Sequence, residues 1–313
     1  MGCCCSTENK GGGCCSSAAP RQELPDWFRQ PVPDQESMGR MRTLLSSTGL
    51  TTVCQGAQCP NVGQCWSRGT ASFMILGNHC TRGCGFCAVP SGVPAAVDQE
   101  EPLLLADAIR RLGLKYVVVT SVTRDDLPDG GAIQFARSVQ ALRLAAPACR
   151  VELLIPDLGG DKDLLNIILE ARPEVIGHNL ETVRRLSPAV RSGADHDRSL
   201  GLLAACKQAG GVAVKSGLMA GMGETDEEIL AALRELRDAG CDIVTIGQYL
   251  APSKGERHTP VDRFVRPEVF DRYRQEGSAM GIRTVIAGPL VRSSYLAEEG
   301  FMQYLESISV GKR

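Results

Sequence analysis

The chain has no excess of positive charge. Its 313 residues carry 34 Lys and Arg against 36 Asp and Glu, a formal net charge of -2, so no basic field draws nucleic acid to it. It has no stretch near the roughly 18 consecutive apolar residues that cross a bilayer. Residues 1–20 hold no apolar run that could form a signal-peptide core, and without Arg or an amphipathic stripe they do not resemble a mitochondrial transit peptide. Aromatics are sparse, with two Trp, five Tyr and seven Phe. What is abundant is cysteine: 14 residues, beside 34 Gly, 17 Pro and 43% hydrophobic content, the composition of a soluble α/β chain that buries most of its apolar surface. The expectation is a cytoplasmic protein with neither a nucleic acid nor a membrane partner. In that reducing setting spaced cysteines serve as metal or cluster ligands more often than as bridges.

The cysteines fall into three sets. Cys3, Cys4, Cys5, Cys14 and Cys15 crowd a Gly/Ser/Cys-rich tail, residues 1–20, with too few apolar groups to fold alone. Gly2 and Ser6 match an N-myristoylation spacing, a pattern short enough to arise by chance. Cys149, Cys206 and Cys241 are scattered through strand-like and helix-like stretches and read as small buried residues or inert thiols. The remaining six form two triplets. Between tail and first triplet, four prolines over residues 20–33 and the pair Trp27 and Phe28 suggest an extended arm on a surface.

From residue 70 onward, β-branched runs alternate with helical patterns. Strands are expected at 72–76, 116–121, 150–155, 174–177, 212–218, 242–246 and 283–287, and helices at 101–112, 131–145, 161–171, 180–186, 226–239 and 267–280. Continuous apolar strands such as Tyr-Val-Val-Val-Thr imply a parallel sheet buried on both faces. A complete or partial βα barrel is therefore favoured, with a doubly wound sheet as the alternative. In a barrel the chemistry sits after the C-terminal ends of strands, which is where the second triplet falls.

That triplet reads Cys80-Thr-Arg-Gly-Cys84-Gly-Phe86-Cys87. Three thiolates within eight residues, with Gly83 and Gly85 letting the backbone curl, can hold three corners of a cubic iron–sulfur cluster. Paired C-x2-C units, as in zinc sites, and a nearby fourth cysteine, as in ferredoxins, are both absent. The spacing resembles that of the radical S-adenosylmethionine superfamily, C-x3-C-x2-C with an aromatic, here Phe86, before the last cysteine. The resemblance implies that an electron delivered through the cluster cleaves S-adenosylmethionine to a 5'-deoxyadenosyl radical. The segment from Gly217 through Gly221 to Glu224, G-L-M-A-G-M-G-E, is similar to one that lines the adenosine pocket in that superfamily. Its plainer reading is a glycine-rich strand end turning the chain into the next helix.

The first triplet, Cys54-x4-Cys59-x5-Cys65, again offers three thiolates with no fourth close by. Placed directly upstream of C-T-R-x-C-x-F-C, it resembles the lipoyl synthases. The likeness runs through residues 70–76 (T-A-S-F-M-I-L), 120–126 (T-S-V-T-R-D-D), 151–157 (V-E-L-L-I-P-D), 178–183 (H-N-L-E-T-V), 215–219 (K-S-G-L-M), 247–250 (G-Q-Y-L) and 288–295 (G-P-L-V-R-S-S-Y). Asn78 and His79 stand where that family usually has an acidic residue, and His79 is not read as a ligand.

The resemblance implies a partial (β/α)6 TIM-type barrel over residues 70–282. An N-terminal extension at 21–69 would carry the auxiliary-cluster cysteines, and a C-terminal segment at 283–313 the R-S-S-Y block. It implies two 4Fe-4S clusters: one on Cys80, Cys84 and Cys87, the other on Cys54, Cys59 and Cys65 with Ser294 as its fourth ligand. A hard oxygen on a soft cluster is a poorer match than thiolate and leaves one corner easier to dismantle; alternatively Ser294 caps a C-terminal helix expected at 295–306. Asn179, Glu181 and Arg191 are candidates for the amino-acid end of S-adenosylmethionine, although Glu181 could equally begin a helix.

The implied reaction inserts sulfur at C6 and C8 of an octanoyl chain on a carrier lysine, using two S-adenosylmethionine and the auxiliary cluster as sulfur donor. Implied partners are octanoylated lipoyl-carrier domains (2-oxoacid dehydrogenase E2 subunits and the glycine cleavage H protein), a ferredoxin or flavodoxin, and an iron–sulfur carrier that rebuilds the donor. Two other readings compete: another radical sulfur inserter, biotin-synthase-like or a methylthiotransferase, and a non-enzymatic iron–sulfur carrier.

Overall fold

The computed structural model describes residues 24–30, 34–56, 59–68, 70–253, 255 and 257–310. The tail with its five cysteines lies outside the described residues, as do the ends of the proline-rich arm. What is described of that arm makes a short turn at Asp26–Phe28, and Phe28 is buried with its ring 5.7 Å from Phe264. The arm is therefore anchored by an aromatic contact. Helix α1 (Gln35–Thr48) follows, then the two-residue strand β1 (Thr51–Thr52) and two short helices, α2 (Val53–Gly56) and α3 (Val62–Ser67).

Beyond these the βα alternation begins. Its elements are β2 (Ser72–Ile75), α4 (Glu101–Leu112), β3 (Tyr116–Ser121), α5 (Ala132–Ala145), β4 (Arg150–Leu154), α6 (Lys162–Glu170) and β5 (Val175–Gly177). They continue with α7 (Ser187–Val190), α8 (His196–Ala209), β6 (Ala213–Ala220), α9 (Asp226–Asp238), β7 (Ile243–Gln248), α10 (Pro267–Ala279), β8 (Thr284–Gly288) and α11 (Ala297–Val310). One sheet runs β1 to β8 in chain order; β1 pairs antiparallel with β2, and every later neighbour is parallel. The sheet is open, a partial barrel. Strands β2 to β7 account for six βα steps, and β8 adds a further parallel strand. Each strand expected from the sequence is present within two residues of its expected ends.

One expected helix is not there. Residues 180–186 carry an amphipathic pattern, yet the chain turns through them and helix resumes only at α7. Glu181 takes φ +66°, donates its N–H to the Gly217 carbonyl (2.9 Å) and accepts from Met219 N–H (2.8 Å). Pairing with the edge of β6 takes the backbone groups that a helix would have used. Helix entry elsewhere follows local chemistry: Thr225 and Glu228 form a reciprocal capping box on α9, and Asp161 and Asp195 cap α6 and α8.

The N-terminal end of the barrel is filled. Tyr116, Val118, Val175, Ala213 and Ile243 from four strands pack against Ala297 and Phe301 of α11. Above them Lys215 bonds Glu152 at 2.7 Å and the Tyr116 hydroxyl donates to the same carboxylate at 2.6 Å, all three side chains buried. A buried pair is tolerated when the remaining lone pairs are satisfied, as Tyr116 does here. Cys149, Cys206 and Cys241 are all buried, and burial pushes the Cys206 thiol up to about 12 and the Cys149 thiol to about 11. They are packing residues.

Candidate active site

The two triplets sit at opposite ends of β2. Because side chains alternate along a strand, Ser72 and Met74 share one face. Ser72 borders a small cavity ringed by Cys54, Cys59, Cys65 and Ser294. Met74 borders a larger cleft lined by Cys80, Cys84 and Cys87. No described cysteine is in a disulfide.

The Cys80 loop is fixed from three directions. Arg82, between the first two cysteines, bonds Asp125 (2.7 and 2.8 Å) from the loop after β3 and Asp157 (2.9 and 3.0 Å) from the loop after β4. Asp157 is fully buried and also holds Arg198 at 2.9 Å. Its own burial works to raise the carboxyl pKa, but the hydrogen bonds and charge of Arg82, with Arg198, outweigh it and bring the group down to about 2. Backbone N–H groups of Arg82 and Thr123 point at Cys80 Sγ, 3.4 and 3.3 Å away. On the other side Gly85 accepts from Thr259 N–H at 2.7 Å, and a Cβ at Gly85 would stand 2.7 Å from Thr259 Oγ1. The Cys87 carbonyl meets His258 Nε2 at 3.0 Å. Exposed His79 bonds its neighbour Asn78 (2.8 Å), outside this arrangement.

Phe86, Asn179, Glu181 and Arg191 line the same cleft. Arg191 is buried, bonds Ser199 (3.1 Å) and the Asn179 carbonyl (3.3 Å), and burial lowers its pKa. Glu181 is raised by burial, which the nearby Arg191 charge opposes. Asn179 donates to Glu181 (3.1 Å) and leaves its own Oδ1 buried without a partner among the described residues, on the side that faces Gly217. The helix-start alternative for Glu181 is excluded, since α7 begins only at Ser187.

Gly217, Gly221 and Glu224 do not line the cleft. Gly217 sits behind it: a Cβ there would be 2.8 Å from Asn179 Oδ1 and 2.9 Å from Thr245 Oγ1. Gly221 has φ +105°, and the Glu224 carboxylate accepts from the N–H groups of Gly221 (2.6 Å) and Met222 (2.9 Å). The glycine-rich stretch turns the chain into α9, and Glu224 locks that turn.

At the other end of β2, the N-terminal extension and the C-terminal segment are stitched together. Buried Asn61 donates to the Leu290 carbonyl at 2.6 Å, and the Tyr295 hydroxyl donates to Gln64 at 3.1 Å. Ser294 makes no hydrogen bond among the described residues, and α11 begins three residues later at Ala297, so it is not that helix's cap. Burial raises the thiol pKa of Cys54 and Cys59; for Cys65 burial and then the charges of Cys54 and Cys59 push it up to about 12. Such a triplet resists ionising alone and is suited to a cationic metal core. Among the described residues no three His, Cys, Asp or Glu side chains converge on a point that could hold a single ion. The three cysteines of each triplet instead line one cavity, and three unbridged thiols with no fourth cysteine beside them are a donor set that fits a 4Fe-4S cluster.

The chain is 49% identical over 280 residues to the lipoyl synthase of Rubrobacter xylanophilus, covering 89% of this chain and 87% of that one. It is 51% identical over 285 residues to the lipoyl synthase of Pyrobaculum calidifontis, covering 90% and 98%. The chain belongs to the lipoyl synthases. The family profile described as Radical SAM superfamily matches residues 74–236. Among solved structures, methylornithine synthase aligns with TM-score 0.52 at 18% identity over 75% of this chain and 68% of that one. SuiB of Streptococcus suis aligns with TM-score 0.52 at 13% identity over 80% and 60%. These two likenesses concern the fold.

Several residues that shape this lipoyl synthase site escaped the sequence reading. Arg82, Asp125 and Asp157 each stood inside a quoted block, but their convergence is a property of the fold. His178, buried between the Ile155 carbonyl (2.9 Å) and Ser199 (3.0 Å), is another. A signal was present in each case: a charged or titratable residue just past the end of a barrel strand.

Proposed function

We propose that the chain inserts sulfur at C6 and C8 of an octanoyl chain attached to a carrier lysine. The radical would be generated at the Cys80, Cys84 and Cys87 cleft and the sulfur supplied at Cys54, Cys59, Cys65 and Ser294. The observation that carries this reading is the placement of two open cysteine triplets at the two ends of one strand, with Ser294 in the second cavity. Bound there, the two clusters and S-adenosylmethionine would supply the electron, the radical and the sulfur. The chain's own work is placement. Arg191 and Glu181 offer opposite charges to the carboxylate and ammonium of the amino-acid end, Asn179 holds Glu181 in place through its amide N–H, and Phe86 provides an apolar wall. Gly217 leaves room for Asn179, and Gly221 and Glu224 fix the strand end beside it.

The barrel residues 70–282 would then form the radical site, and the extensions at 21–69 and 283–313 the sulfur site. The partners this activity requires are an octanoylated carrier domain (an E2 subunit or H protein), a ferredoxin or flavodoxin, and an iron–sulfur carrier. Unbridged cysteines throughout the described residues favour a reducing cytoplasm. Among the described residues no helix is long and apolar enough to cross a membrane.

The test is anaerobic reconstitution with iron and sulfide, followed by S-adenosylmethionine, dithionite and an octanoyl-lysine peptide, read by mass spectrometry. A dithiolane product is expected. Formation of 5'-deoxyadenosine without sulfur incorporation would reject the reading. Ser294→Ala should still assemble both clusters yet give less lipoyl product; wild-type yield would remove Ser294 from the donor set.

A further inference from the structure

Arg191 is a buried cation with no acid paired to it. It is 5% exposed on the wall of the Cys80 cleft, and among the described residues no carboxylate stands within ion-pair distance. Two neutral acceptors hold its guanidinium instead: Nη1 donates to Ser199 Oγ at 3.1 Å and Nη2 to the Asn179 carbonyl at 3.3 Å. Neutral partners leave the charge itself uncompensated, which is costly in a buried place until an anion completes the site.

Ser199, on α8, is itself set by His178 at the end of β5. The serine hydroxyl lies 3.0 Å from His178 Nε2 and 2.9 Å from the Asp195 carbonyl. On the other side of the ring, Nδ1 faces the Ile155 carbonyl at 2.9 Å. A carbonyl can only accept, so Nδ1 carries the ring proton and Nε2 of the neutral imidazole is an acceptor. The one hydroxyl proton of Ser199 therefore has two claimants. The Asp195 carbonyl already receives Ser199 N–H at 3.1 Å, whereas Nε2 has no other donor among the described residues. Donation to Nε2 turns the oxygen lone pairs toward Arg191. Burial, followed by the charge of Arg191, keeps the ring unprotonated and brings its pKa down to about 4; Arg82 works in the same direction, and the Ile155 carbonyl and Asp157 oppose. A protonated ring would instead donate to Ser199 Oγ and set a second cation beside Arg191.

We propose that His178 and Ser199 form a positioning relay that aims Arg191 at the carboxylate of S-adenosylmethionine. The proposal rests on the reading of Arg191 as that carboxylate's partner. The relay draws on β5, α8 and the turn after α7, so the guanidinium is fixed to the barrel as well as to its own loop. Neither relay residue needs to touch the carboxylate.

The test uses reconstituted holoprotein in anaerobic equilibrium dialysis against S-adenosylmethionine and against its decarboxylated analogue, which keeps the sulfonium and the amine but gives Arg191 nothing to bind. Ser199→Ala removes the oxygen to which Arg191 donates and should weaken S-adenosylmethionine binding about ten-fold, the effect of losing one hydrogen bond to a charged group. His178→Leu keeps the hydroxyl but not the acceptor that orients it, and should weaken binding about three-fold, nearer the effect of one neutral hydrogen bond. Both variants should bind the decarboxylated analogue as wild type does. The double variant should be no weaker than Ser199→Ala alone, because both changes act through one oxygen. His178→Gln, whose amide oxygen can accept from Ser199, should restore affinity. Variants that lose both ligands alike, an unchanged Ser199→Ala, or a His178→Gln as weak as His178→Leu would each overturn the relay. Wild-type protein that binds neither ligand would reject the assignment of Arg191 and the relay with it. Discrimination between the two ligands that behaves as expected in protein that forms no dithiolane would reject the sulfur chemistry and leave the relay standing.

Discussion

Replacing Asp157 by Asn tests whether the Cys80 loop is held by charge. The carboxylate is fully buried, accepts two hydrogen bonds from Arg82 and one from Arg198, and also receives Gly159 N–H at 3.3 Å. Its folded pKa of about 2, against 3.8 ordinarily, corresponds to about 2.5 kcal/mol of stability at neutral pH. Breaking one side of a buried ion pair typically costs about 3–5 kcal/mol. Arg82 keeps Asp125, which is 47% exposed on its side chain, so a loss of about 2–4 kcal/mol is expected for Asp157→Asn. The assay is anaerobic urea denaturation of both proteins from pH 7 down to pH 3. Since the carboxyl pKa is depressed, its contribution is complete above 3.8 and disappears as pH falls toward about 2; the gap between the two proteins should narrow below pH 4. A gap under about 1 kcal/mol at pH 7, within the range of an exposed pair, or one that does not narrow in acid, would refute the assignment.

Three further outcomes follow from the geometry. Gly247→Ala would place a Cβ 1.9 Å from the Val291 carbonyl oxygen, displacing the segment that carries Ser294. Iron analysis should then show loss at the auxiliary triplet with the Cys80 site retained. Gly217→Ala would push Asn179 out of position, so equilibrium dialysis should show weaker S-adenosylmethionine binding at unchanged iron content. Burial brings His178 down to about 4 from 6.5, so the folded state refuses a proton that the unfolded chain takes up. Stability should fall by about 3 kcal/mol as pH drops from 6.5 to about 4, and His178→Gln should flatten that stretch of the curve.

The strands and both triplets were legible in the sequence because each is a local pattern: β-branched runs in one case, fixed cysteine spacing in the other. Residues 180–186 were misread for the same reason. Their apolar spacing is helical, but the backbone around Glu181 pairs with Gly217 and Met219 from a strand more than thirty residues away. The three anchors of the Cys80 loop could not be ranked beforehand, since Arg82 lies 43 residues from Asp125 and 75 from Asp157. Ser294 had two readings that chain spacing left open; the start of α11 at Ala297 removes one of them. The short strand β1 and helix α1 carry no pattern strong enough to be noticed, yet they deliver Cys54 to the end of β2.

Strand β2 is only four residues long, and it has a cysteine triplet beyond each end. At about 3.3 Å per residue it rises on the order of 10 Å, comparable to the length of an extended octanoyl chain. The strand thus sets how far apart the two cavities lie, and adding or removing a pair of residues in β2 would change that separation while keeping Ser72 and Met74 on the same face.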